Sequence, residues 1–277
     1  MVELLGGADI RKLAEALGVV PTKKLGQNFV IDPNTIRKIV SSAKLGPNET
    51  VVEIGPGLGS LTLGLLEVAQ QVISVEIDPK MAAAIEETVA RRAPGTRFSL
   101  VSQDAMKVTE LPHAPTALVA NLPYNISVPV LLHFIETFPS LNHGLVLVQS
   151  EVAHRLAAAK GSKVYGSPSA KLAWYADANL AGNVSRNIFW PIPNVDSSLV
   201  YFAKRSEPLG SEELRLKTFD VIDGAFSQRR KTLRQALADL AGSPAKAEEL
   251  LTAAGISPQL RGEQLDVFDF KKIAEQL

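Results

Sequence analysis

The tetrapeptide Asn121-Leu122-Pro123-Tyr124 follows a strand-like run and combines residues that can act on a nucleic-acid base. An exocyclic purine amine is a poor nucleophile because its lone pair is conjugated with the ring. The amide oxygen of Asn121 and the main-chain carbonyl of Leu122 can accept its two hydrogens and so favour a pyramidal nitrogen. Pro123 stiffens the turn, and Tyr124 offers a ring for base stacking, which contributes about 1–3 kcal/mol. This pattern predicts methyl transfer to an adenine amine, without a strong base because the methylated amine becomes acidic and loses its proton afterwards.

A glycine-rich loop, Gly55-Pro56-Gly57-Leu58-Gly59, follows another strand-like run and suits close approach of the backbone to a ligand. Glu76 lies 21 residues beyond Gly55 (76 − 55), near the spacing at which an acid holds a ribose diol in doubly wound folds. Asp104 follows a third strand-like run, where it can accept a hydrogen bond from an adenine amino group. The third glycine comes one residue early for the dinucleotide fingerprint. The loop therefore favours S-adenosylmethionine, which has no phosphate and requires only close approach.

The elements that must position these residues alternate between β-branched apolar runs and stretches of helical period. This order is typical of a parallel sheet covered by helices on both faces, so the predicted fold class is α/β. The predicted strands are Thr50–Ile54, Gln71–Glu76, Arg97–Val101, Thr116–Ala120 and Gly144–Gln149. The predicted helices between them are Gly59–Ala69, Pro79–Arg92 and Ser127–Thr137. Asp32-Pro33 predicts the start of a helix that continues to about Ala43, and another helix is expected near Asp9.

The chain changes character after about Lys204, where strand-like runs give way to amphipathic helical segments. These predict a small all-helical C-terminal domain, with helices near Ser211–Gly224, Arg229–Leu240, Pro244–Ala254 and Glu263–Gln276. We predict an N-terminal extension, partly helical, over residues 1–22. A Rossmann-like S-adenosylmethionine-binding domain is expected over residues 23–205, and the helical domain over residues 206–277.

The composition excludes several classes of function. The chain has 277 residues, of which 46% are hydrophobic, and its 29 basic residues equal its 29 acidic ones, so nucleic-acid binding requires a local basic patch. Cysteine is absent, which excludes thiol chemistry and cysteine-based zinc sites, and the four histidines show no metal-binding spacing, so no metal is expected. Neither a signal peptide nor an apolar run long enough to span a bilayer is visible, so we expect a cytoplasmic protein. A monomer is the plain expectation.

Five motifs occur in the order found in one family. They are Gly26-Gln27-Asn28-Phe29-Val30, the loop Glu53–Gly59, the tetrapeptide Asn121–Tyr124, Phe189–Ser197 and Phe226–Arg234. Together they strongly resemble the ribosomal RNA adenine N6-dimethyltransferases, and their bacterial small-subunit branch in particular. The resemblance implies that S-adenosylmethionine donates methyl groups to two adjacent adenines in a hairpin loop near the 3′ end of 16S rRNA. Each adenine receives two methyl groups, and the partner is the immature 30S subunit.

The resemblance also implies roles for particular residues. Phe189 is expected to stack on the target base opposite Tyr124, so that the predicted catalytic residues are Asn121, Leu122, Tyr124 and Phe189. Asn28 and Val30 are expected to close over the cofactor. The full predicted cofactor-binding set is Asn28, Val30, Gly55, Gly57, Glu76, Ile77, Asp104, Ala105 and Asn121.

A basic segment, Ala225–Gln235, contains no acidic residue and is the best candidate for phosphate contact in this neutral chain. Weaker candidates are Arg155 with Lys160, and Lys23 with Lys24 beside the cofactor-binding segment. The predicted RNA-binding residues are Lys23, Lys24, Arg229, Arg230, Lys231 and Arg234.

Other functions remain open at this point. A large-subunit rRNA adenine methyltransferase that confers antibiotic resistance would use the same chemistry. A non-catalytic assembly or transcription factor could use the same fold, although it would not need an intact cofactor pocket. A DNA adenine methyltransferase and a nicotinamide-dependent oxidoreductase are less favoured by the motifs.

Overall fold

The computed structural model describes residues 2–18 and 28–277. Its strands are β1 (Phe29–Val30), β2 (Thr50–Ile54), β3 (Gln71–Glu76), β4 (Phe98–Ser102), β5 (Ala117–Asn121), β6 (His143–Gln149), β7 (Ala176–Val184), β8 (Phe189–Trp190) and β9 (Ser197–Lys204). Its first seven α-helices are α1 (Gly7–Ala16), α2 (Pro33–Ser42), α3 (Ser60–Leu66), α4 (Pro79–Arg92), α5 (Ser127–Thr137), α6 (Ser150–Leu156) and α7 (Ser167–Tyr175). The remaining α-helices are α8 (Glu212–Ser227), α9 (Leu233–Ala236), α10 (Ala238–Ala241), α11 (Pro244–Ala253) and α12 (Val267–Ala274).

Seven strands form one sheet in the order β4-β3-β2-β5-β6-β9-β7. The neighbours from β4 to β6 pair in parallel, whereas β9 pairs antiparallel with β6. All five predicted strands are present, with ends displaced by at most one residue. The predicted α/β class is therefore confirmed. The carboxyl ends of the central strands meet at one sheet edge, and the glycine loop, Glu76 and Asn121 all follow or end such strands.

Two strands of this sheet, β7 and β9, were not among the predicted strands. Most of β7 is exposed or half-buried, so it lacks the continuous apolar run that marks a buried parallel strand. The sequence signal was therefore weak for β7, whereas β9 is mostly buried.

A separate two-stranded sheet joins two motifs that lie far apart in the chain. Strand β1 pairs antiparallel with β8, with Phe29 opposite Trp190 and Val30 opposite Phe189. The amide of Ile31 also donates to the carbonyl of Ile188 at 2.8 Å. The segment before the main sheet is thereby fixed by the Phe189 motif.

Local signals explain where the helices beside the site begin. The Asp32 side chain accepts from the amide of Thr35 at 2.9 Å and Pro33 opens α2, so the predicted cap is confirmed. Asp78 caps α4 in the same way through the amide of Lys80, at 2.9 Å. Helix α1 occupies the region in which a helix near Asp9 was expected.

By its contacts the chain divides into a sheet unit, Met1–Ala153 with Asn179–Lys204, and a helical unit, His154–Ala178 with Arg205–Leu277. The predicted domain limits at residues 22 and 205 stay a prediction. The core of the sheet unit includes the buried faces of β2, β5 and β6. The helical unit has its own core, which includes Val221, Ile222, Leu233, Phe270 and Ile273, all with no exposed surface.

The helix predicted near Arg229–Leu240 begins later than expected and is divided into two short helices. Residues 228–230 form a turn, and the two short helices α9 and α10 follow it. Within the described part of the chain, no helix combines the length and apolar character needed to cross a membrane.

Candidate active site

A cavity of about 350 Å³ lies at the carboxyl edge of the main sheet, within the sheet unit. This volume falls in the range of roughly 300–1,000 Å³ that is typical of small-molecule sites. Every residue of the predicted cofactor-binding set lines it: Asn28, Val30, Gly55, Gly57, Glu76, Ile77, Asp104, Ala105 and Asn121. The structure thus brings together residues that span more than 90 positions of sequence.

The glycine loop forms one wall of this cavity. Gly55 and Gly57 have positive φ angles, +67° and +55°, which side chains rarely allow. A Cβ atom on Gly57 would lie 2.8 Å from Cε1 of Phe29, closer than carbon atoms pack. Glycine at this position therefore permits β1 to lie directly against the loop.

Glu76 places a carboxylate in the cavity at the end of β3. It is only 8% exposed, and this burial raises its pKa above the ordinary value. Backbone amides oppose the effect: Asp78 donates to Oε1 at 3.0 Å, and hydrogen bonds from Gly57 and Ile77 also lower the pKa. An acid held in this way can accept hydrogen bonds from the two hydroxyls of a ribose.

Asp104 and Ile77 offer complementary surfaces for an adenine ring. One carboxylate oxygen of Asp104 accepts from the amide of Met106 at 3.0 Å, and the residue lines the cavity. Ile77 is 66% exposed although it is a large apolar residue, and it lines the cavity. An exposed apolar side chain beside an acceptor is the arrangement that a purine with an amino group requires.

Glu53 also lines the cavity and was not among the predicted site residues. Its side chain is buried and accepts hydrogen bonds from Thr62 Oγ1 at 2.6 Å and Ser74 Oγ at 2.9 Å. Burial raises its pKa to about 7. An acidic residue inside an otherwise apolar strand was the signal that could have identified it.

The amide of Asn121 has a fixed orientation at the end of β5. Its Nδ2 donates to the main-chain carbonyl of Asn28 at 3.0 Å. Because the two polar atoms of an amide point in opposite directions, this bond directs Oδ1 away from Asn28. Oδ1 of Asn121 is therefore available to accept a hydrogen bond, which the predicted role toward a target amine requires.

The rest of the tetrapeptide is held by the neighbouring strands. The Leu122 side chain is buried, and its amide donates to the carbonyl of Leu147 at 3.1 Å. Tyr124 is half-buried, and its hydroxyl lies 2.8 Å from Oγ of Ser197. Burial raises the pKa of Tyr124, so the phenol stays protonated at neutral pH.

Phe189 lies on the short β1–β8 pair. It is 1% exposed, belongs to the apolar core of the sheet unit and lies opposite Val30 on the β1–β8 pair. The expected stacking stays a prediction, and the observed contacts of Phe189 are packing contacts.

The basic segment of the helical unit is divided between paired and accessible cations. Nε of Arg229 lies 3.1 Å from Glu263, and Nε of Arg234 lies 2.7 Å from Glu248. Arg230 and Lys231 are exposed and form no ion pair with any residue that the structure describes.

The weaker basic candidates differ from this segment. Lys160 pairs with Asp266 at 2.5 Å. Lys23 and Lys24 lie outside the described residues. Arg230 and Lys231 are therefore the predicted cations most available to a phosphate backbone.

The donor set fits S-adenosylmethionine: an acid for the ribose, an acceptor and an apolar side chain for the adenine, and a glycine loop without phosphate-binding residues. This site on a mostly parallel seven-stranded sheet defines an S-adenosylmethionine-dependent methyltransferase. Residues 21–277 match the family described as ribosomal RNA adenine dimethylase. The chain belongs to this family.

Bacterial relatives are similar over nearly the whole chain. A protein named ribosomal RNA small subunit methyltransferase A from Streptomyces coelicolor is 61% identical over 275 residues, covering 98% of this chain and 96% of the relative. A protein of the same name from Paenarthrobacter aurescens is 60% identical, covering 98% and 93%.

Solved structures share the fold. A dimethyladenosine transferase from Plasmodium falciparum aligns with a TM-score of 0.74 at 24% identity, over 87% of this chain and 94% of the other. The 23S rRNA methyltransferase ErmE aligns with a TM-score of 0.67 at 24% identity, over 90% and 99%. Since a 23S rRNA methyltransferase shares this fold, the fold alone does not distinguish between the ribosomal subunits.

Proposed function

We propose that this chain transfers methyl groups from S-adenosylmethionine to the N6 amines of two adjacent adenines in a hairpin loop near the 3′ end of 16S rRNA. Each adenine receives two methyl groups. The carrying observation is the anchored amide of Asn121, whose nitrogen is held by Asn28 beside the nucleoside cavity. The choice of the small subunit is supported by the names of relatives about 60% identical to this chain.

The cavity residues hold the methyl donor in this proposal. Glu76 accepts hydrogen bonds from the ribose hydroxyls, Asp104 accepts from the adenine amine, and Ile77 packs on the adenine ring. Gly55 and Gly57 allow close approach of the backbone. When bound, S-adenosylmethionine supplies a methyl group activated by a sulfonium centre.

The tetrapeptide prepares the nucleophile. Oδ1 of Asn121 and the carbonyl of Leu122 accept the two hydrogens of the target amine, which frees its lone pair for attack. Tyr124 stacks on the base and holds its plane. The methylated nitrogen then loses its proton to water, so the buried carboxyl of Glu53 is not needed as a base.

The RNA partner follows from the cost of exposing a base. A target adenine must leave its stack, which costs a few kcal/mol in a duplex and less in an unpaired loop. We place the phosphate contacts at Arg230 and Lys231, with Arg229 and Arg234 bracing the segment through their ion pairs. In this proposal a monomer acts on the immature 30S subunit in the cytoplasm.

Tritium transfer from labelled S-adenosylmethionine to unmethylated 30S particles, followed by nucleoside analysis, tests this function. We expect N6,N6-dimethyladenosine in 16S rRNA, with no label in parallel reactions on 50S particles or duplex DNA. Label on 50S particles alone would replace the proposal with a large-subunit activity. Absence of label together with no heat of S-adenosylmethionine binding in calorimetry would support a non-catalytic factor instead.

A further inference from the structure

The hydroxyl of Tyr124 requires an explanation that base stacking does not provide. Stacking uses the ring face, and a phenylalanine would supply the same face. In the structure the hydroxyl lies 2.8 Å from Oγ of Ser197, a residue with no exposed surface. The hydroxyl therefore serves an interaction within the protein.

The position of Ser197 is fixed by the main sheet. It begins β9 and lies opposite Gln149 in the β6–β9 ladder. Immediately beside this pair, the amide of Ser150 donates to the carbonyl of Asp196 at 2.9 Å. The hydrogen bond to Ser197 therefore holds the Tyr124 hydroxyl at a defined position relative to the main sheet.

The turn that carries Tyr124 has few restraints of its own. It connects β5 to α5, and the amide of Ile126 donates to the carbonyl of Pro123 at 3.2 Å. The hydroxyl of Ser127 donates to the Tyr124 carbonyl at 3.4 Å. Both bonds hold the backbone, and neither fixes the χ1 rotation that sets where the Tyr124 ring lies.

We propose that Ser197 is a positioning residue, which tethers the Tyr124 hydroxyl and so fixes the χ1 rotation that places the ring against which the target adenine stacks. This inference rests on the proposed function. It predicts that the hydroxyl bond contributes to the rate of methyl transfer and leaves the cofactor cavity unchanged. Ser197 itself touches neither substrate in this account.

The chain offers a matched control on the same strand. Ser198 also has no exposed surface, and its side chain lies on the opposite face of β9. There its hydroxyl lies 2.8 Å from Ser150 Oγ and donates to Asn183 Oδ1 at 3.0 Å. Ser198→Ala therefore removes a buried hydroxyl without touching Tyr124.

The test is a double-mutant cycle with Ser197→Ala, Tyr124→Phe and their combination, assayed on unmethylated 30S particles at saturating S-adenosylmethionine. Loss of one neutral hydrogen bond should lower kcat about fivefold in each single variant. The double variant should also be about fivefold slower, because both changes remove the same bond. Affinity for S-adenosylmethionine should equal that of the wild type in all three, and Ser198→Ala should keep the wild-type kcat.

Several results would overturn the inference. A double variant about 25-fold slower would show two independent roles, and equal kcat losses in Ser197→Ala and Ser198→Ala would show general destabilisation. If Ser197→Ala does not fold, wild-type kcat in Tyr124→Phe alone refutes the tether. A wild-type enzyme inactive on 30S particles would refute the proposed function and this inference with it, whereas an active wild type with unaffected variants refutes the inference alone.

Discussion

The anchored amide predicts a graded loss of activity when residue 121 is changed. Asn121→Ala removes the acceptor that faces the target amine, and loss of one preorganised hydrogen-bonding group in an active site costs about 100- to 1,000-fold in kcat. Asn121→Asp keeps an acceptor oxygen and removes the donor to Asn28, 3.0 Å away. The carboxylate then faces a carbonyl oxygen, so its orientation is lost, and we expect a loss of about tenfold, equivalent to about one hydrogen bond.

Cofactor binding provides the internal comparison for these two variants. Asn121 contributes one side chain among more than twenty that line the cavity, so S-adenosylmethionine affinity should fall by no more than about fivefold. Single-turnover methylation of 30S particles measures the chemical step, and calorimetry measures the affinity. Equal losses of rate and affinity would refute the role given to Oδ1, and an Asn121→Asp rate equal to wild type would refute the role of the Asn28 bond.

Three further changes test the remaining parts of the site. Glu76→Ala should weaken S-adenosylmethionine binding about tenfold or more, because ribose hydrogen bonds to a charged group are lost; calorimetry measures this, and unchanged affinity would exclude ribose contact. Burial raises the pKa of Glu53 to about 7 from the ordinary 4.5, so the native state retains a proton that the unfolded chain releases. As pH rises from 4.5 through 7, the free energy of unfolding of the wild type should therefore fall by about 3 kcal/mol more than that of Glu53→Gln. Urea unfolding of both proteins at pH 5 and 8 measures the difference, which a pH-independent offset would contradict. Arg230→Ala with Lys231→Ala should weaken binding to 30S particles and flatten its salt dependence in filter-binding assays; an unchanged slope would show that these cations are only solvated surface.

Two of these changes have controls within the chain. Lys246→Ala with Lys272→Ala removes the same charge from the exposed faces of α11 and α12, and should leave the salt dependence unchanged. Glu76→Gln retains an acceptor oxygen, and its S-adenosylmethionine affinity should fall between those of wild type and Glu76→Ala.

The cofactor cavity could be predicted from sequence because its residues follow from strand order. Parallel strands bring their carboxyl ends to one edge, so residues at strand ends such as Gly55, Glu76 and Asn121 must converge. Continuous apolar runs identified those strands to within one residue. The orientation of the side chains could not be predicted in this way. The hydrogen bond between Asn121 and Asn28 spans 93 positions, and no local pattern predicts it.

The basic segment shows why surface charge is harder to interpret. Its sequence contains no acid, which suggested four available cations, yet Arg229 and Arg234 each lie beside a glutamate. Glu263 lies 34 positions from Arg229 (263 − 229), and Glu248 lies on α11. Local composition carries no information on partners supplied by another helix.

The β1–β8 pair gives Phe189 a structural role in addition to the predicted stacking on the target base. Phe189 packs in the core opposite Val30, which lies two residues beyond Asn28, whose carbonyl orients Asn121. A wholly buried aromatic at this position holds β1 in place, and β1 in turn holds the carbonyl of Asn28. The Phe189 motif can thus be required for methyl transfer through the orientation of an amide, even where its ring never touches the base. Its contribution would then follow the size and shape of the side chain more closely than its aromatic character.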